Sequence, residues 1–168
     1  METIMSLRPL RFVTLFLTAL AMTLYVVHLL ELEPRVQYDP QLYAVITHPY
    51  YGWLEIAGLL VQLWAVAAAV LLAYVAWPRP SFGFVVCALL SMVAAIFFWV
   101  VLVMPITEEW LHAILDIERG SDIVARLGAR WLFGHALAFI AWLSAAVILL
   151  LSRGFDGESA PEPIPHPA

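Results

Sequence analysis

The stretch SFGFVVCALLSMVAAIFFWVVLVMPI, residues 81–106, contains no Asp, Glu, Lys or Arg. It exceeds the roughly 20 apolar residues that an α-helix needs to cross a bilayer. Three further stretches, residues 12–30, 56–77 and 131–152, share the same lack of acidic, Lys and Arg side chains. In hydrocarbon a backbone must satisfy its own polar groups, which leaves helices or closed barrels. Barrel strands alternate in character over about 10 residues, and these runs are longer and uniform. The reading is therefore all-α, a bundle of four transmembrane helices threaded up and down.

Composition agrees. Of the 168 residues, 64% are hydrophobic and 12% charged, where a soluble domain carries about a quarter charged residues. The formal net charge is −5, without the basic footprint that nucleic-acid binding requires. The single cysteine, Cys87, rules out an intrachain disulfide and reads as a small packing residue. The first run follows Arg8 and Arg11 but has no clear small-x-small cleavage site before Glu31, so it reads as a retained helix.

The expected helices cover about 9–32, 50–77, 81–104 and 124–152, within a membrane domain of residues 1–153. Residues 154–168, rich in Pro and Glu, read as a disordered polar tail. Glu33-Pro34 ends the first helix, since proline disfavours helix in the residue before it. Residues 33–49 read as a loop, and Trp77-Pro78-Arg79-Pro80 as a tight turn. Pro105 is expected to break or kink helix 3. Thr107-Glu108-Glu109 then resembles a cap with first-turn acids, opening a short extramembrane helix to about Glu118.

Two stripes mark inward faces. Thr14, Thr18, Ala21, Tyr25 and His28 recur at helical spacing in the first helix. Glu55, Gly58, Gln62, Ala65 and Ala69 do so in the second. Small and polar residues at such spacing face neighbouring helices in membrane bundles.

Up-down threading gathers the chemistry at one end. His28 and Glu31 finish helix 1, and Glu55 lies in the first turns of helix 2. Glu108, Glu109 and His112 follow helix 3, while Arg130 and His135 open helix 4. His48 falls on the same side, and His166 lies in the tail. An ionisable group at membrane depth costs about 2.5–3.5 kcal/mol on insertion scales, so it usually has a partner or a task. The functional reading is a polar site with His135, His112, Arg130 and Glu55 as acid–base groups. An alternative is a metal site using His28, Glu109, His112 and His135, for Fe or Cu, with Glu109-x-x-His112 resembling half of a di-iron motif. A full di-iron site needs two such pairs. The bland reading makes Glu108 and Glu109 solvated acids, Arg130 a headgroup anchor and His135 a packed histidine. Trp99, Trp110, Trp131 and Tyr50 read as an interfacial belt.

The chain also resembles the anthrone oxygenase-like family of small four-helix membrane proteins over about residues 10–152. The resemblance rests on the layout, on His48-Pro49 ahead of helix 2, on Met104-Pro105-Ile106-Thr107 ending helix 3, and on Arg130-Trp131-Leu132-Phe133-Gly134-His135 opening helix 4. Thr107 stands where the family pattern has Asn, and no Arg closely follows His135. The resemblance implies oxygenation of a phenolic anthrone to a quinone, with no established cofactor. That reaction needs a base, for which His135 or His112 is suited because imidazole titrates near neutrality. Arg130 would hold the enolate charge, and Trp99 and Trp131 would wall an aromatic small molecule. The runner-up is a non-enzymatic small subunit of a larger membrane complex, or a homo-oligomer.

Orientation follows from the Arg residues. Arg8, Arg11, Arg79 and Arg153 lie on one side; Arg35, Arg119, Arg126 and Arg130 on the other. Because the first helix usually weighs most, the expectation is both termini in the cytoplasm of a bacterial inner membrane.

Overall fold

In a computed structural model the structure describes residues 7–30, 40–77, 79–115 and 121–155. Side chains at 40–51, 108, 110, 111, 113–115, 121–125 and 155 are outside that description. Among the described residues there are five α-helices: α1 Leu7–Leu30, α2 Pro40–Ala76, α3 Phe82–Phe98, α4 Met104–Leu115 and α5 Ser121–Phe155. A π-turn, Trp99–Val103, joins α3 to α4. No strand occurs among the described residues. Four segments are long and apolar enough to cross a membrane: Leu7–Leu30, Gly52–Ala76, Phe82–Thr107 and Arg126–Gly154. The chain is a small integral membrane protein built as a four-helix bundle.

The helices form a square in which α1 and α3 each pack against α2 and α5. Pairings fix the directions. Tyr25 meets Gln62, while Arg11 near the start of α1 meets Ser81 just past the end of α2, so α2 descends as α1 rises. Thr107 meets Trp131 and Val103 meets Gly134, so α5 runs against the α3–α4 rod. The turn between α2 and α3 closes through Arg79 N–H to the Ala76 carbonyl at 2.8 Å and Phe82 N–H to the Arg79 carbonyl at 3.1 Å. Beside it, Arg11 Nη2 donates to the buried Ser81 hydroxyl at 2.7 Å, tying the start of α1 to the α2–α3 turn.

The core is made of small residues. Ala21, Ala65, Ala69, Ala88, Ala95, Ala138 and Ala145 are fully buried around Trp142, Leu72 and Met92. In lipid, hydrophobicity does not draw helices together, because acyl chains are as apolar as Leu; close backbone packing does. Large apolar groups such as Phe12, Leu63, Trp64 and Leu90 point outward. Most of both stripes is buried, Thr14, Thr18, Ala21 and Tyr25 in the first and Gly58, Gln62, Ala65 and Ala69 in the second, while His28 is half-buried and Glu55 is exposed. The two threonines return their hydroxyls to their own helix, Thr14 to the Leu10 carbonyl and Thr18 to the Thr14 carbonyl. They therefore need no partner across the interface.

Several boundaries differ from expectation. The second helix starts at Pro40 rather than near Tyr50, taking in ten residues read as loop. Proline at a first helical position loses nothing, since its missing N–H is one that a helix start leaves unpaired anyway. The helix continues through Pro49, where one ladder bond is withdrawn. Likewise Pro105 does not separate helix 3 from the short helix. The chain passes from α3 into α4 through the π-turn, with Met104 N–H bonding to the Trp99 carbonyl. Pro105 cannot donate, and its ring crowds the carbonyl four residues back, so the preceding turn widens. Thr107 is consequently no cap. It sits inside α4, and its hydroxyl donates to the Val103 carbonyl at 3.0 Å. The last helix starts at Ser121 and ends at Phe155, slightly longer than expected at both ends. Cys87 faces outward instead of packing inside. Glu31, Glu118, His166 and the tail beyond Phe155 lie outside the described residues, as do the side chains of Tyr38, Tyr43 and His48.

Candidate functional site

Each of the four spans sends polar side chains to one region near the end opposite the α2–α3 turn. From α1 come Tyr25 and His28, three residues apart and so on one face. From α2 come Glu55 and Gln62, a further two turns of stripe. Trp99 comes from the π-turn, Thr107 from α4, and Trp131 and His135 from α5. All eight border one cavity of about 50 Å³. By the same measure one water needs about 10–15 Å³, so the enclosed space suits dioxygen or a few waters and not a fused ring system.

The imidazoles form its centre. The His28 and His135 rings lie 4.6 Å apart, centroid to centroid, inclined at 63°. Trp131 packs on both, 3.9 Å from His135 and 5.1 Å, edge-on, from His28. Tyr25 approaches His135 at 5.9 Å. His135 is 2% exposed and Trp131 5%.

Hydrogen bonds decide the protonation pattern. His135 Nδ1 lies 3.0 Å from the Trp131 carbonyl oxygen. A carbonyl oxygen only accepts, so Nδ1 carries a proton in this contact. Trp131 is fixed in turn by its indole N–H, which donates to the Thr107 hydroxyl at 3.2 Å. That hydroxyl is already spent on the Val103 carbonyl, so the chain Trp131–Thr107–Val103 is satisfied from end to end. On the other wall the Tyr25 hydroxyl donates to Gln62 Oε1 at 2.8 Å. Glu55 is exposed where the cavity opens, within electrostatic reach of His28. The buried indole N–H of Trp142 finds no acceptor in hydrogen-bonding geometry, although the Tyr25 hydroxyl stands nearby.

Of the residues singled out in the sequence, His28, Glu55 and His135 come together, with Trp99 and Trp131 beside them. His112 is exposed on α4 and does not border the cavity. Arg130, also exposed, turns with Glu109 toward a separate groove. The four proposed metal ligands are thus divided, and among the described residues no group of three or more His, Cys, Asp and Glu is placed to hold a metal ion. His28 and His135 supply two imidazole donors, one fewer than the three protein ligands usual in a catalytic zinc site. Trp131 is part of the site rather than of an interfacial belt.

Sequence reasoning passed over Tyr25, Gln62 and Thr107 as site residues. The signal was present: Tyr25 and Gln62 lie on the same helical stripes as His28 and Glu55, and a stripe carrying one ionisable residue carries its neighbours to the same place. Thr107 was hidden by the proline two residues before it, which suggested a helix end.

No protein-family model, curated protein or solved structure matches this chain.

Proposed function

We propose that this membrane protein is an oxidoreductase of the anthrone oxygenase-like kind, which removes a proton from an enolisable, phenolic substrate that then reacts with dioxygen. The observation that carries this is His135, a buried imidazole that borders the cavity and whose Nδ1 proton is held by a backbone carbonyl, so that Nε2 is the nitrogen this reading assigns to proton abstraction. Nε2 takes a proton from the methylene flanked by the aromatic rings. The resulting enolate passes electrons to oxygen and forms a carbon–oxygen bond. The peroxide anion recovers the proton from His135, and loss of water leaves a new carbonyl. The balance is one methylene plus O₂ giving one carbonyl plus H₂O. His28 stands beside His135 and within reach of Glu55, and so offers a proton path to the open side.

The small enclosed volume sets the pose. Dioxygen and the reacting edge occupy the interior, while the rings lie against Leu54 and Trp99 where the cavity opens. Arg130 and His112 stand away from this place, so the enolate charge is met by His28 and the protonated His135. The termini lie in the cytoplasm on this reading, and the site opens to the opposite side.

Oxygen consumption by the detergent-purified protein with an anthrone tests the proposal. One O₂ should disappear per quinone formed, well above autoxidation without protein, and His135→Ala should remove the excess. Uptake no faster than autoxidation would reject the reaction.

A further inference from the structure

Between the π-turn, the start of α4 and the start of α5 lies a groove of about 530 Å³, apart from the imidazole cavity. Val101, Leu102, Ile106 and Phe133 make it apolar, and Glu109 and Arg130 stand on it as the charged groups. Val101 and Phe133 are exposed on the bundle's outer surface. The charges sit at a defined depth. The uncharged apolar run of the third span ends at Ile106 and that of the fourth begins at Trp131, so Glu109 and Arg130 both lie just outside the apolar segments. That is where headgroups meet protein.

A guanidinium presents a donor fork that matches phosphate oxygens. A carboxylate beside the same groove favours an ammonium group and repels a second anion. One cation, one anion and an apolar channel together complement a zwitterion that carries acyl chains. We propose that this groove binds a zwitterionic phospholipid of the phosphoethanolamine type, its phosphate on Arg130, its ammonium on Glu109 and an acyl chain along Val101, Ile106 and Phe133. An anionic lipid such as phosphatidylglycerol would satisfy Arg130 and leave Glu109 without a cationic partner. Selection between headgroups therefore rests on Glu109, and retention of any phospholipid on Arg130.

Native mass spectrometry of the full chain taken from vesicles with equal phosphatidylethanolamine and phosphatidylglycerol reads both roles. A favourable charge contact near the membrane surface changes binding about fivefold. The wild type should retain phosphatidylethanolamine over phosphatidylglycerol by about that factor. Arg130→Gln should lower both adducts about fivefold, and Glu109→Gln should abolish the preference while keeping the adducts. Ala129→Trp fills the groove without touching either charge and should lose both lipids, which keeps the test decisive if a charge variant fails to fold. Equal retention of the two lipids by the wild type, or adducts unchanged in Arg130→Gln or Ala129→Trp, would overturn the proposal. So would displacement of the lipid by millimolar inorganic phosphate, which would assign the groove to free phosphate.

Discussion

An imidazole at the fifth residue of an uncharged apolar run must resolve its two nitrogens, because an unsatisfied polar group in hydrocarbon is costly. His135 bonds Nδ1 to the carbonyl one turn back, and its ring borders a cavity. Trp131 links this arrangement to α4, since its own carbonyl holds His135 and its indole N–H holds Thr107. If that tie is a real inter-helix bond, Trp131→Phe and Thr107→Val should each destabilise the protein, and the double variant should cost less than their sum. A coupling of about 0.6 kcal/mol is expected for such a pair in a membrane bundle. Reversible unfolding in mixed micelles measures it, and a coupling of zero would mean that the contact contributes nothing.

At the scale of the element, the π-turn and α5 fit together through one glycine. A Cβ built on Gly134 would lie 2.7 Å from Val103 Cγ2 and 3.1 Å from Leu102 Cβ. Gly134→Ala should therefore push α5 away from the π-turn and cost about 1–3 kcal/mol, as overpacking does elsewhere. Gly83→Ala, with nothing within 4 Å of the added atom, should leave stability nearly unchanged. Equal melting behaviour for the two variants would show that the close approach is not maintained. These elements also mark where the sequence was legible. The stripes Thr14-Thr18-Ala21-Tyr25 and Gly58-Gln62-Ala65-Ala69 could be read because lipid leaves small residues as the only route to close packing. Pro40, Pro49 and Pro105 misled, because proline's effect depends on its place. At a helix start it is harmless, and in the interior a neighbouring turn can widen around it.

Across the whole molecule, the uneven distribution of ionisable groups pointed to one end, and polar side chains from all four spans meet there around one cavity. It did not foretell how that end divides. His28, Glu55 and His135 border one cavity, while Glu109 and Arg130 line a separate groove and His112 borders neither, and only helix rotation decides between these places. The proposed orientation, with both termini in the cytoplasm, rests on Arg8 and Arg11 ahead of the first span. A single cysteine introduced at Arg79, in a Cys87→Ser background, should react with a membrane-impermeant maleimide only after cells are opened. Labelling in intact cells would invert the topology.

The central claim is that His135 abstracts a proton, and this step can be watched without oxygen. Under anaerobic conditions in D₂O, the protein should accelerate exchange of an anthrone's methylene hydrogens, followed by NMR. General-base catalysis contributes about 10²–10⁴-fold, so His135→Ala should slow the protein-dependent exchange by at least about 10²-fold. Exchange at the protein-free rate, or equally fast exchange in His135→Ala, would contradict the account.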